Sequence, residues 1–234
     1  HFAELMALCF LKHAELGGAL RKYKGRVVLR GDNIKDKEGY QAVFTEQGAS
    51  ASQMVGAKTL DACARMPGMA GSAADAISAY TQVKMEWAKD LLRFNEKDCP
   101  VIWIRLPRDR WPKSWHSMHE PVVPLLVNLY GHPLAGLLWE KFLETQLIKI
   151  GWKRLRSCES LFKHEDSKLL LSVYVDDLKM VGLKHNIAPM WVRIRKLVNL
   201  DPETELVDHV YLGCTQRAAT PRKESVQDKQ RLFA

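Results

Sequence analysis

Two adjacent carboxylates stand where two apolar runs meet. Leu169-Leu170-Leu171-Ser172-Val173-Tyr174-Val175 leads into Asp176-Asp177, and Leu178-Lys179-Met180-Val181 leads away to Gly182. The pattern reads as strand, acidic turn, strand. Aspartate is common in hairpin turns, so the plain reading is a solvated pair. Beside wholly apolar strands, however, two neighbouring carboxylates repel. Divalent cations placed between them and a phosphate would relieve that repulsion. Two-metal phosphoryl transfer uses carboxylates that hold ions about 3.5–4 Å apart. One hairpin rarely supplies enough of them, so a third carboxylate is expected from elsewhere. Asp75, in Gly71-Ser72-Ala73-Ala74-Asp75-Ala76-Ile77-Ser78-Ala79-Tyr80, is the candidate. A strand beginning at Ala73 would run beside the hairpin and bring Asp75 to its turn. The competing reading is a helix-capping aspartate.

Other chemistry is poorly supported. His116-Ser117-Met118-His119 has a metal-ligand spacing but no further ligands nearby, and reads as loop. Ser72 and Ser78 have no recognisable His/Asp arrangement, which argues against a hydrolase triad. Trp103, Trp111 and Trp115 could stack on bases, or pin an irregular loop to a core. Cys9, Cys63, Cys99, Cys158 and Cys214 are odd in number and contain no C-x-x-C pair. That argues against a disulfide framework and a zinc knuckle, and for free thiols in a reducing compartment.

The elements that must position the carboxylates follow from periodicity. Residues 1–16 read as a helix ended by Gly17-Gly18, and Val27–Leu29 as a strand closed by the turn residues 30–33. Residues 34–50 read as an exposed loop and residues 52–66 as a helix broken by Gly68 and Gly71. Residues 76–83 read as a strand or a turn into a helix. A strand over 101–104 precedes a Trp- and Pro-rich connection. An amphipathic helix spans 135–150, with Gly151 ending it. A short strand covers 160–163, a basic helix 188–199, and a last strand 209–214, before a frayed polar tail.

Composition is that of a globular chain: 234 residues, 47% hydrophobic and 26% charged. Lys plus Arg number 35 against 27 Asp plus Glu, a formal net charge of +8. A basic surface captures polyanions, nucleic acid above all. No apolar run approaches a bilayer-spanning length, so no membrane partner is expected. The chain begins with His1 and shows no signal-peptide pattern, which reads as a segment starting mid-protein in an intracellular polypeptide.

Five blocks resemble one family. Tyr174-Val175-Asp176-Asp177 resembles the Y-V-D-D box of reverse transcriptases. Asp75 with Ala79-Tyr80 resembles their D-x-x-x-A-Y/F box. Leu129-Tyr130-Gly131, closed by Trp139, is similar to the L-Y-G…W segment of the copia-type retrotransposon branch. Lys24-Gly25-Arg26-Val27-Val28-Leu29-Arg30-Gly31 resembles that branch's K-x-R-x-V-x-R-G opening, and Tyr211-Leu212-Gly213 its F-L-G strand. The blocks occur in the family's order across most of the chain.

The resemblance implies an α+β right-hand polymerase fold. Residues 1–66 would be fingers and residues 67–214 a palm, an antiparallel sheet backed by helices; residues 215–234 would be a polar tail. It implies RNA-directed DNA polymerase activity within a longer transposable-element polyprotein, in a cytoplasmic particle or the nucleus. Asp75, Asp176 and Asp177 would hold two magnesium ions, with manganese the alternative. Tyr80 would lie under the sugar of the incoming deoxynucleoside triphosphate. Ser78 and Ala79 would offer backbone N–H groups to its phosphates, and Lys24, Arg26 and Arg30 are the candidate cations. Tyr130 and Gly131 would border the pocket near the templating base, and a primed RNA or DNA template would be the partner.

The match departs at His132-Pro133-Leu134-Ala135, where the branch carries Lys-Gln and a later Pro. The segment 99–124 has no counterpart in the pattern, and no thumb, RNase H or integrase signature follows Gly213. These departures leave open a catalytically impaired relic that only binds nucleic acid. An unrelated two-metal nuclease would use similar carboxylates but not the five ordered blocks.

Overall fold

The computed structural model describes residues 1–12, 14–15, 17–42, 44, 54–92, 101–156, 158, 160–207, 210–211, 214–215, 220, 222–224 and 226–227. The chain opens with a long ribbon, β1 (Phe2–Lys12) antiparallel to β2 (Lys22–Leu29), in register from Leu5↔Leu29 to Lys12↔Lys22. The helix expected over residues 1–16 is therefore a strand. Phe2, Leu5, Met6, Cys9 and Phe10 satisfy a helical spacing, but a ladder on each edge outweighs it. One ladder is β2. The other is β4 (Trp103–Arg105), parallel to residues 2–4 and far away in sequence. The basic stretch after Gly17-Gly18 becomes β2, longer than the Val27–Leu29 strand expected.

A 3-10 turn at Gly31–Asn33 follows. Ile34 is then fully buried and Lys35 bridges to Phe2 and Gln41, so the start of the expected exposed loop belongs to a core. Residues 43 and 45–50 lie outside the described residues. Helix α1 (Met54–Cys63) ends before Gly68, whose φ of +77° turns the chain into β3 (Met69–Asp75). This strand starts before Ala73, where it was expected, and ends on Asp75. Residues 76–83 are a turn rather than a strand, with a 3-10 segment at Ala79–Gln82. Helix α2 (Ala88–Leu92) comes next.

The Trp- and Pro-rich connection runs between β4 and β5 (Val122–Pro124). Helix α3 (Ala135–Lys149) leads to β6 (Lys153–Arg154), β7 (Leu161–His164), β8 (Leu169–Tyr174) and β9 (Asp177–Leu183). Helix α4 (Lys184–Arg195) starts earlier than the expected 188 and contains Pro189. After β10 (Thr204–Glu205), the single strand expected over 209–214 is instead a pair, β11 (Val210–Tyr211) antiparallel to β12 (Cys214–Thr215). His209, Leu212 and Gly213 lie outside the described residues, as does most of the tail.

Two larger sheets result: a four-stranded one, β2-β1-β4-β5, and a six-stranded antiparallel one, β10-β3-β9-β8-β7-β6. The architecture is α+β. The first sheet draws β4 and β5 from beyond residue 66, so sheet membership does not follow the 1–66 and 67–214 division. Side chains alternate across a strand, and the large sheet uses both faces. Leu169, Leu171, Leu178 and Met180 face one core with Leu138 and Phe142 of α3 and Trp191 of α4. Ala73 and Val181 face another with Leu60 of α1 and Leu206.

The four-stranded sheet meets the turn before α3 at a close backbone crossing. The Leu29 N–H donates to the Tyr130 carbonyl at 2.7 Å. Gly131 has φ +85°, and a Cβ there would collide with the Leu29 carbonyl oxygen. A Cβ on Gly31 would in turn collide with the Gly131 carbonyl oxygen. Only glycine fits both demands at Gly131, left-handed backbone and contact with a carbonyl. Gly131→Ala is expected to destabilise the chain by about 2–4 kcal/mol. Urea denaturation measures this, and a loss within error of zero would mean that the crossing relaxes freely.

Candidate active site

β3 and β9 run antiparallel, and their register ends on Asp75↔Asp177. β8 and β9 are joined by the turn that holds Asp176, with Tyr174↔Asp177 as their last pair. Three adjacent strand ends thus converge on one rim of the large sheet. The turn is held from two sides. Asp176 accepts, through its backbone carbonyl, the Ala76 N–H at 2.7 Å. The indole N–H of buried Trp139, on α3, donates to the Val175 carbonyl at 2.5 Å. Val175 has φ +52°, a conformation costly for a β-branched residue, and the Trp139 hydrogen bond helps hold it.

The carboxylates divide into two settings. Asp177 hydrogen-bonds to Asp75 across the strand pair. Partial burial, then the charges of Asp75 and Asp176, push its carboxyl up to about 6. Two carboxyls in contact are stable only if a proton or a cation lies between them. Asp176 also acts on two phenols. Tyr80 and Tyr130 lie with ring centroids 4.6 Å apart. Burial raises the Tyr80 phenol, with Tyr130 and Asp176 adding to the shift. Burial, then Asp176, raises Tyr130, while Arg26 opposes.

The candidate cations are placed differently from one another. Arg26 lies over the Tyr130 ring at 5.3 Å and over the Phe10 ring at 5.5 Å, linking the β1–β2 ribbon to the tyrosine pair. Lys24 lies further out on the same ribbon, exposed and opposite Phe10. Arg30 is held by Glu4 and Asp32, at 3.5 and 3.4 Å. Among the three, the geometry brings Arg26 to the tyrosines. Ser78 is left-handed at φ +49° and caps the 3-10 turn that begins at buried Ala79. The first N–H groups of such a turn have no partner within it. Gly131 follows Tyr130 at the sheet crossing, and Tyr174 and Val175 border the turn half-exposed.

At His132, where the family resemblance fails, the side chain is buried. Its Nδ1 accepts from the Leu134 N–H at 3.0 Å, and burial lowers its pKa to about 4. It is a neutral packing residue here. The basic helix surface expected near 190–197 is largely committed. Arg193 donates to the Ile150 carbonyl, and Arg195 to the Asp201 carbonyl and Glu203.

One neighbour was not singled out in the sequence. Lys179, two residues along β9 from Asp177 and on the same face, is 2% exposed. Its ammonium pairs with Asp61 of α1 at 2.7 Å and lies 4.2 Å from the centre of the Tyr211 ring. Tyr211 shares a hydrogen bond with buried Ser172 at 2.9 Å. The signal was present as a lysine inside an otherwise apolar alternating strand. A lysine on the buried face of a strand requires a partner.

Paired carboxylate oxygens are a donor set suited to hard cations such as magnesium or manganese. A cation replacing the Asp75–Asp177 proton fits the contact observed. Among the described residues, no group of three His, Cys, Asp or Glu side chains is drawn together tightly enough to hold a metal ion. Asp176 stands toward the tyrosines. Among the described residues, too, no helix is long and apolar enough to cross a membrane.

No family model matches this sequence, and no curated protein matches it. Among solved structures, apo telomerase from Candida tropicalis, truncated from its C-terminal domain, is similar. The likeness has a TM-score of 0.48 and 9% identity, covering 87% of this chain and 50% of that one. This chain therefore spans half the length of that relative. A likeness at this level says nothing of the present chain's chemistry.

Two outcomes follow from the site. An unfolded Asp177 carboxyl titrates near 3.8, against about 6 in the folded chain. Between those values the folded chain holds the extra proton, so stability falls as pH rises through that window. Discounted for solvent screening, the loss is about 1–2 kcal/mol. Urea midpoints from pH 4 to 7 measure it, and Asp177→Asn is expected to flatten the slope. Asp61→Ala leaves the Lys179 ammonium buried without its carboxylate and is expected to cost about 3–5 kcal/mol. Lys179→Met, which removes the buried charge itself, is expected to cost much less in the same assay.

Proposed function

We propose that this chain is the fingers-and-palm part of a copia-type reverse transcriptase, an RNA-directed DNA polymerase acting on a primed template with deoxynucleoside triphosphates. The observation that carries the reading is the Asp75↔Asp177 contact at the end of the β3–β9 ladder, with Asp176 in the adjoining turn. Asp75 and Asp177, far apart in the chain, stand opposite each other there, which supports the reading. In this reading Asp75 and Asp177 form the core of the metal site and Asp176 completes it when substrate arrives. Magnesium or manganese, when bound, would supply activation of the primer 3′-hydroxyl and charge neutralisation at the leaving pyrophosphate.

The chain's own groups do the rest. Arg26 meets the triphosphate charge from the ribbon side, ahead of Lys24 and Arg30. Tyr80, tilted against Tyr130, forms the floor beneath the sugar. The opening N–H groups at Ser78 and Ala79 receive phosphate oxygens. Trp139 keeps the turn in its strained conformation, so the carboxylates do not have to reorganise during transfer. The reading also carries a place in a longer transposable-element polyprotein, inside the cell.

A second reading is favoured by His132. It is neutral and buried at a position where the family places a cation, as expected of a relic that retains only nucleic-acid binding. Primer extension on an RNA template separates the two. The native chain with magnesium is expected to extend the primer, and Asp176→Asn and Asp177→Asn to lower the rate by about 10²–10³-fold. Template binding without extension by the native chain would leave the relic. Extension insensitive to both substitutions would remove the carboxylate assignment.

A further inference from the structure

The outer face of the four-stranded sheet carries a cleft that the carboxylate site does not use. Its floor is the segment Phe2–Glu4 of β1, which is laddered on both edges. On one edge Phe2 and Lys35 exchange both backbone hydrogen bonds, at 2.7 and 2.9 Å. On the other edge Glu4 stands opposite Arg105 of β4. Side chains alternate across a strand, and paired residues share a face. Ala3 packs into the core with Leu29 and Ile104, so Phe2, Glu4, Lys35 and Arg105 stand together on the opposite face. Asn33, from the 3-10 turn, joins them in lining the cleft. With open solvent left out, the cleft holds about 130 Å³, which is room for a single ring.

Its charges are unevenly satisfied. The Glu4 carboxylate is shared between Arg30 at 3.5 Å and Arg105 at 4.0 Å, and Arg105 also holds Glu120 at 2.9 Å. Among the described residues, the Lys35 ammonium and the Asn33 side-chain amide have no partner. What the cleft lacks is therefore a negative charge that also accepts hydrogen bonds. The Phe2 ring, 43% exposed, supplies an apolar wall beside these groups. A bare phosphate would leave that wall uncovered, and a neutral ring would leave the ammonium without a counter-charge. A floor fixed on both edges holds the groups in place before anything binds.

We propose that this cleft binds a small carboxylate with a single-ring body, its carboxylate on the Lys35 ammonium and the Asn33 amide and its ring against Phe2. Binding here does not depend on the polymerase reading.

The test follows the fluorine NMR line width of 4-fluorobenzoate during titration with the whole chain. Broadening is expected with the native protein, and about three- to tenfold weaker binding with Lys35→Met. Lys37, paired with Glu38, lies outside the cleft lining. Lys37→Met removes the same charge from the chain and is expected to leave the affinity unchanged. Asn33→Ala is expected to weaken binding about two- to fivefold, and serves in place of Lys35→Met should circular dichroism show that variant unfolded. Neutral 4-fluorobenzamide is expected to bind at least about threefold more weakly than the benzoate. No broadening by the native chain overturns the proposal. So does an affinity in folded Lys35→Met, or in Asn33→Ala where that variant replaces it, equal to that of Lys37→Met. Equal binding of the neutral amide overturns it as well. Primer extension is measured separately, so loss of this site and loss of the polymerase reading are distinguishable.

Discussion

Two carboxyl groups held in contact across a strand pair are an unfavourable arrangement that the surrounding structure must maintain. Asp75 and Asp177 face each other because the β3–β9 ladder runs in register to its last residue. Nothing local to either aspartate favours that outcome, since each would be better solvated apart. The ladder, the sheet beneath it and the two cores on its faces impose the contact. Burial first, and then the charges of Asp75 and Asp176, raise the proton affinity of Asp177 there.

The supports are distributed around the turn rather than within it. Trp139 reaches from α3 to the Val175 carbonyl, and Ala76 donates to the Asp176 carbonyl. On the other face, Lys179 ties the same strand to α1 through Asp61 and to Tyr211. A buried ion pair is poor as a source of stability but specific in the arrangement it permits. Here it sets α1 against the sheet two residues from the carboxylate. Local strain at Val175 and like charge at Asp177 are both tolerated because rigid elements fix their neighbours.

The four-stranded sheet reaches the tyrosine pair through its crossing with the turn before α3. Gly31 and Gly131 let the β2 end and the residues after Tyr130 approach at backbone distance. That approach sets Arg26 over Tyr130 and so joins a cation of the ribbon to the aromatic pair that Asp176 acts upon. Lys24 shares the strand with Arg26 and Arg30 follows its end, yet Lys24 is exposed and Arg30 is held by Glu4 and Asp32. Equivalent residues in a sequence become inequivalent because a ribbon offers its cations in turn to different surroundings.

Much of the large sheet was legible from residues alone. Apolar runs on both sides of Asp176-Asp177 determine a hairpin, since no other arrangement buries those side chains and leaves the acids at a turn. The α3 stripe and its Gly151 stop were legible for the same local reason. Residues 1–16 were not, because their apolar spacing suits helix or strand and the decision lies with β4, about a hundred residues on. Nor could spacing decide between a capping and a converging role for Asp75. The tertiary structure put Asp75 opposite Asp177, set Arg26 over the Tyr130 ring and gave Trp139 the Val175 carbonyl. Local periodicity reports which side chains must be buried; which distant elements bury them, and what those elements bring into contact, is settled only when the whole chain closes on its cores.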